Sequence, residues 1–76
     1  MITVIDHQIY STGGEIAYQL EYSDGSKFRT VEGNRIIRTE YLSRNGWVQS
    51  GKPYVVAKNK KRQAERIKDS VINALR

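Results

Sequence analysis

The chain has 76 residues, of which 13 are basic and eight acidic, and it contains no cysteine. A chain of this length forms one hydrophobic core and leaves few residues for a deep preorganised pocket, which argues against an enzyme. The lack of cysteine excludes disulfides, thiolate metal sites and cysteine nucleophiles, and it fits a reducing compartment. Residues 1–10 show neither a signal peptide nor a membrane span, so we expect a cytoplasmic protein with no membrane partner.

Charge is distributed unevenly along the chain. The first 25 residues contain four acids and no lysine or arginine, a net charge of −4. Residues 26–76 contain 13 basic and four acidic residues, a net charge of +9. This bipolar pattern indicates a basic face that attracts a polyanion, and both a nucleic acid and an acidic protein surface fit it.

Glycine-containing turns at intervals of roughly ten residues predict short strands joined by hairpins. Residues 16–22 alternate between apolar and polar side chains, as expected for a half-buried strand. The Asp24-Gly25 turn is best read as a three-residue loop, 23–25, with Gly25 in the left-handed conformation. This loop length places Leu20 opposite Phe28, so that both faces of the hairpin match.

The middle of the chain is more ambiguous. Residues 35–43 fit either a strand or a short helix, and their β-branched content favours a strand with Ile37, Thr39 and Tyr41 on one side. Residues 47–49 and 54–57 read as two further extended pieces, with Pro53 suited to the start of a strand or to an edge strand.

The final segment changes to helical spacing. Asn59 is a plausible N-cap, and Glu65 with Lys68 forms one of the helix-spaced ion pairs. Together these patterns predict a single α+β domain over residues 1–76, with a small antiparallel sheet of three to five strands in residues 1–57 packed against one C-terminal helix over 59–76. The apolar stripe of that helix consists of Ala64, Ile67, Val71, Ile72 and Leu75.

The strongest functional signal is a basic cluster at the predicted start of this helix. The macrodipole favours acids there, so cations at this position suggest an anion such as phosphate, bound by free backbone N–H groups and by neighbouring side chains. A set of solvated residues leading into a surface helix explains the cluster equally well. The cluster consists of Lys58, Lys60, Lys61 and Arg62.

Further basic residues fall in the predicted strands and turns. If the sheet places them beside the helix start, they extend one basic face, although outward-facing strand cations also serve solubility. These residues are Arg29, Arg35, Arg38 and Arg44, with Lys27 as an additional strand cation. Trp47 is a candidate base-stacking platform, and the alternative role for a single tryptophan in so small a chain is a core anchor.

Catalytic and metal-binding patterns are absent from the sequence. His7 is the only histidine, and no second histidine or any cysteine completes a metal set. Gly13-Gly14 lacks the lysine and the spacing of a phosphate-binding loop. We therefore predict no catalytic residues, no metal and no cofactor.

Residues 60–75, KKRQAERIKDSVINAL, resemble the last helix of double-stranded RNA-binding domains. The resemblance implies phosphate contacts by Lys60, Lys61 and Arg62. The amino-terminal part departs from that family because it reads as strands where the family has its first helix. A small sheet followed by a helix is also similar in arrangement to integrase arm-binding and plant AP2-type DNA-binding domains, and we assign no family.

The leading functional hypothesis is a non-catalytic nucleic-acid-binding module for DNA or RNA that neutralises phosphates with these basic residues. The alternative is a protein-interaction module, a small adaptor or inhibitor that binds an acidic protein surface. An unpaired strand edge would also allow a homodimer.

Overall fold

A computed structural model describes residues 1–55 and 62–76 of the chain. The strands form one antiparallel sheet in the order β1-β2-β3-β4-β5, so each strand pairs with its neighbour in sequence. The helix α1 packs against one side of this sheet, which confirms the predicted α+β fold. The elements are β1 Val4–Thr12, β2 Glu15–Tyr22, β3 Lys27–Gly33, β4 Ile36–Ser43, β5 Gly46–Val55 and α1 Gln63–Ala74.

The hairpin between β2 and β3 has the predicted register. Leu20 lies opposite Phe28, and Glu21 lies opposite Lys27. Gly25 has a φ of +89°, the left-handed conformation that glycine adopts at low cost, and its N–H donates to the Tyr22 carbonyl at 2.9 Å. The three-residue loop is therefore confirmed.

Strands β4 and β5 resolve the ambiguous middle of the chain. Residues 35–43 are mostly strand, and β4 begins at Ile36 because Asn34 and Arg35 form the preceding turn with φ values of 50° and 69°. Residues 47–49 and 54–55, which were predicted as parts of two separate extended pieces, instead belong to one strand, β5. The pairing of β5 with β4 is irregular between Ile37 and Thr39, where the register shifts. Pro53 is tolerated there because β5 is an edge strand. Residues 56 and 57 lie outside the described residues.

Helix α1 packs its apolar stripe on β2 and β3. Ile67 and Val71 form the core cluster with Tyr18 and Leu20, and the partly buried Tyr22, Phe28 and Ile72 pack around it. Thr30 is fully buried and donates its hydroxyl to the Ala64 carbonyl at 2.6 Å, which attaches the first turn of the helix to β3. Of the predicted stripe, only Leu75 is exposed, since it follows the last helical residue.

The helix begins later than predicted. Arg62 is the N-cap, and its extended backbone (φ −85°, ψ 177°) excludes it from the helix. The N-cap predicted at Asn59 lies outside the described residues. The expected pair between Glu65 and Lys68 is replaced by a longer-range one, because Lys68 Nζ donates to Glu32 on β3 at 2.8 Å.

The two faces of the sheet differ in what covers them. Tyr18, Leu20 and Thr30 point toward α1, so their sequence neighbours point to the opposite side, which we call the open face. On the open face Ala17 and Val31 lie opposite each other and have no exposed surface. Among the described residues no helix lies on this side, and the long side chains of Arg29 and Arg38 lie on it.

Candidate nucleic-acid interface

Arg29 lies on the open face of β3, where three neighbours engage its guanidinium. Its Nε donates to Glu40 Oε1 at 2.7 Å, and its Nη1 donates to the Tyr10 hydroxyl at 2.9 Å. Its Cζ also lies 4.1 Å from the centroid of the Trp47 ring, a cation–π contact. Only 12% of the side chain is exposed. Arg29 therefore connects strands β1, β3, β4 and β5 and is not a free cation.

Arg38 is engaged on the same face. Its Nη1 and Nη2 donate to the two carboxylate oxygens of Glu15 at 2.7 and 3.0 Å, and its Nε donates to Glu40 Oε2 at 3.2 Å. The hydrogen bonds that Arg38 donates hold the pKa of the Glu15 carboxyl below its usual range, and the same bonds to the Glu15 carboxylate raise the pKa of Arg38. Such a bidentate pair is among the stronger ion pairs in proteins.

These contacts form one hydrogen-bonded chain across β1 to β4, which we call the polar network. Tyr10 extends it to β2, since its hydroxyl donates to Gln19 Oε1 at 2.7 Å. No buried side-chain nitrogen or oxygen in the described part of the chain lacks a partner. Arg29 and Arg38, which the sequence predicted as phosphate contacts, thus donate hydrogen bonds to partners within the protein. It consists of Tyr10, Glu15, Gln19, Arg29, Arg38 and Glu40.

Trp47 lies on β5 opposite Leu42, on the open face. It is half-buried, and the Arg29 guanidinium covers one face of its ring. It is therefore outside the core formed with α1, and one of its two stacking faces is already occupied.

Two predicted arginines lie in turns. Arg35 is in the β3–β4 turn and Arg44 in the β4–β5 turn, and both are exposed. Consecutive turns of a meander lie at opposite ends of the sheet, so the length of β4, roughly 25 Å at about 3.4 Å per residue, separates them. The two arginines do not share one compact site.

The start of α1 carries two exposed arginines, Arg62 and Arg66, one helical turn apart. The Arg62 guanidinium lies 4.4 Å from the centroid of the Tyr54 ring on β5. The Tyr54 hydroxyl donates to Glu65 Oε1 at 3.4 Å, and burial together with the Glu65 charge raises the pKa of Tyr54. Tyr54 and Glu65 thus fix the helix start above the edge strand.

The remaining predicted contacts, Lys58, Lys60 and Lys61, lie outside the described residues. In the sequence they occupy the connection between Val55 and Arg62. Their covalent neighbours are therefore the end of β5 and the N-cap of α1.

The pairing of charges is uneven over residues 1–55 and 62–76. Three basic side chains, Arg29, Arg38 and Lys68, form ion pairs, and their partners are Glu15, Glu32 and Glu40. For Lys68, burial alone would lower the pKa, but the hydrogen bond from Lys68 to Glu32 and the charge of that carboxylate raise it overall. The other basic residues described form no ion pair within these ranges: Lys27, Arg35, Arg44, Lys52, Arg62, Arg66 and Arg76.

A pocket of about 540 Å³ lies beside the helix start, between α1 and the β2–β3 turn. The rings of Tyr22 and Phe28 meet edge to face there, with centroids 5.6 Å apart. Phe28 also lies opposite Tyr41 on β4, which is 39% exposed, so the aromatic surface continues along the sheet. The apolar wall consists of Ile2, Leu20, Tyr22, Phe28 and Ile67.

The rim of this pocket is polar and carries both signs of charge. The Ser26 hydroxyl and N–H donate to Asp24 Oδ1 at 2.6 and 3.0 Å, which lowers the pKa of Asp24 and keeps it ionised. Sequence reasoning missed this pocket because its two walls lie about 40 residues apart in the chain. The only local signal is the aromatic pair flanking the three-residue loop. The rim consists of Asp24, Ser26, Gln63, Arg66 and Ser70.

His7 is half-buried on the edge strand β1, opposite Leu20. Over residues 1–55 and 62–76, no three His, Cys, Asp or Glu side chains are grouped so that they could hold a metal ion. The helix in this part of the chain is too short and too polar to cross a membrane.

Comparison with known proteins adds no relative. No protein-family model matches the chain. No curated protein and no solved structure is significantly similar to it either.

Proposed function

We propose that this protein is a non-catalytic nucleic-acid-binding module that contacts phosphates through the start of α1. The contacts are Arg62 and Arg66, together with the lysines of the preceding connection, Lys58, Lys60 and Lys61. One observation carries the proposal: Glu65, the acid in the first turn of α1, already accepts two hydrogen bonds, while Arg62 and Arg66 are exposed and form no ion pair among the described residues.

The partners of Glu65 illustrate this point. Its carboxylate accepts from the Tyr54 hydroxyl and, at 3.5 Å, from the Arg62 backbone N–H. It therefore accepts from one backbone N–H at the helix start, and neither Arg62 nor Arg66 forms an ion pair among the described residues. Exposed cations beside a helix N-terminus attract phosphate through both the side-chain charge and the helix dipole.

The proposed surface is narrower than the sequence suggested. Arg29 and Arg38 are left out because their guanidinium donors are used by Glu40 and Glu15. Arg35 and Arg44 are left out because they lie in turns at opposite ends of the sheet and do not form one compact site with the helix start.

The size of the surface predicts its salt response. If all five cations neutralise a phosphate, the log–log dependence of affinity on salt has a slope of about −4.5 for duplex DNA and about −3.5 for a single strand. Between 50 and 200 mM salt, a slope of −4.5 lowers the affinity roughly 500-fold. A protein partner matched by shape gives a shallower dependence.

The test is fluorescence anisotropy of the purified protein with labelled single-stranded DNA, duplex DNA and duplex RNA, each over that salt range. Arg62→Glu should weaken binding by about tenfold and make the salt slope shallower by about one or more. Arg76→Glu is the matched control, since it makes the same charge change at the far end of α1, about 20 Å away. Equal losses in both variants would show that only net charge matters.

Lack of binding by the wild-type protein even at low salt would contradict the proposal outright. The remaining hypothesis is then the acidic protein partner, for which the same exposed arginines are available. A protein partner would be sought with the same pair of variants.

A further inference from the structure

We propose that the pocket between α1 and the β2–β3 turn receives one unpaired base of a single-stranded nucleic acid whose phosphates lie on Arg62 and Arg66. This inference rests on the proposed function and makes it more specific, because it selects single strands over duplexes. The two sites adjoin, since Arg66 belongs both to the helix start and to the rim of the pocket.

The walls of the pocket suit a flat apolar ring. Tyr22 and Phe28 both line the pocket, are partly buried and pack edge to face at an interplanar angle of 86°, so two aromatic rings contribute to its apolar wall. Leu20 and Ile67 close the bottom, with 4% and 8% of their surface exposed. A volume of about 540 Å³ is within the usual range of small-ligand sites, about 300–1,000 Å³.

The rim suits a ring whose edge carries both donors and acceptors. Arg66 supplies only donors, Asp24 as a carboxylate supplies only acceptors, and Gln63 and Ser70 supply both. Asp24 Oδ1 accepts both bonds from Ser26, which leaves the second oxygen available to an exocyclic amino group. An aliphatic side chain from a protein partner would use none of these groups, whereas a nucleobase uses them together with the aromatic wall.

A paired base cannot enter such a pocket without leaving its stack. Bases in a duplex have their edges in the base pair and their faces against neighbouring bases, and extruding one carries an energetic cost that a single strand avoids. Stacking of a base on aromatic side chains changes affinity by about tenfold or more. The protein should therefore prefer a single strand to a duplex of the same length and charge.

The test fills the pocket without changing charge. Ser70 is exposed on the rim, and Ser70→Phe places a ring in the space of the base. Asn73→Phe is the matched control, because Asn73 is exposed on the same helix and does not line the pocket. The probes are an eight-nucleotide single-stranded DNA, its duplex, and a fully abasic strand of the same length. Circular dichroism establishes that both variants are folded.

The expected result has three parts. Ser70→Phe weakens single-strand binding about tenfold and leaves duplex binding unchanged. Asn73→Phe binds both probes as the wild type does. The abasic strand binds the wild type about tenfold more weakly than the normal strand, and Ser70→Phe no longer distinguishes the two strands, because both changes remove the same interaction.

Two results would overturn the inference. Wild-type affinity of Ser70→Phe for the normal strand would show that the pocket binds no base, while the proposed function would stand. Equal discrimination between normal and abasic strands by both proteins would show that bases bind elsewhere, for example at Tyr41. If the wild type binds no nucleic acid at all, the proposed function itself fails, and the pocket becomes a candidate for a side chain of a protein partner.

Discussion

Glu40 is the residue on which the polar network depends most, and Glu40→Gln should destabilise the fold strongly. Its two carboxylate oxygens accept from Arg29 Nε at 2.7 Å and from Arg38 Nε at 3.2 Å, and only 12% of its side chain is exposed. Glutamine keeps the size of the side chain and one acceptor. It removes the negative charge and places an N–H₂ group against one guanidinium.

The expected loss of stability in Glu40→Gln follows from the burial of the ion pairs that Glu40 forms with Arg29 and Arg38. Removing one partner of a buried ion pair costs about 3–5 kcal/mol, and a hydrogen bond to a charged group contributes about 1.5–3 kcal/mol. Because Glu40 is slightly exposed and glutamine retains one acceptor, we expect a loss of about 2–3 kcal/mol. A domain of this length has a free energy of unfolding of about 4–11 kcal/mol, so the loss is a large fraction of it.

Urea unfolding followed by circular dichroism measures the effect. With a slope of about 1 kcal/mol per molar, the midpoint should fall by about 2–3 M relative to the wild type. Glu21→Gln is the control, since Glu21 lies on the same face and forms no ion pair among the described residues, and it should change stability by less than about 0.5 kcal/mol. Equal midpoints for Glu40→Gln and the wild type would refute the view that the network holds Arg29 and Arg38 in place.

Three further predictions concern the contacts around the network and the helix. The Glu15–Arg38 pair stabilises the fold above the unfolded pKa of the glutamate, and this stability is lost as the pH falls toward the lowered pKa of Glu15 in the folded state. The urea midpoints of the wild type and Glu15→Gln should therefore converge below about pH 4.3. Gly33→Ala should lower the free energy of unfolding by about 1 kcal/mol in the wild type, because the new Cβ would lie 2.8 Å from Glu15 Cγ. In a Glu15→Ala background the loss should be small, and equal losses in both backgrounds would exclude this clash. Thr30→Val should lower the free energy of unfolding by about 1 kcal/mol, since it removes the hydrogen bond to the Ala64 carbonyl, and an unchanged urea midpoint would mean that this bond adds nothing.

The hairpin between β2 and β3 shows which features the sequence could predict. Its loop length followed from Asp24-Gly25, and its register followed from matching Leu20 with Phe28 on one face. Both signals are local, because a few residues determine how a tight turn joins two strands. The apolar stripe of α1 was predictable for the same reason, except at Leu75, whereas the first residue of the helix was not.

The position of the arginines was less predictable. Arg29 looks like an outward-facing strand cation, and its partner Glu40 becomes visible only when the β3–β4 register is known. That register depends on the turn at Asn34 and Arg35, whose left-handed conformations the composition does not signal clearly. The pocket was also hidden, since it forms only when α1 crosses the sheet beside Phe28. Long-range packing decided both features.

The most direct test of the proposed interface is the change in amide chemical shifts of the wild-type protein on titration with an eight-nucleotide single strand. A protein of 8.7 kDa is well suited to this nuclear magnetic resonance measurement. The proposals predict that the largest changes map to residues 58–70 and 22–28. They also predict that Tyr10 and Arg38, whose side chains belong to the polar network, change little. Large changes confined to Tyr10, Arg38 and Trp47 would instead place the nucleic acid on the open face and contradict the proposed interface.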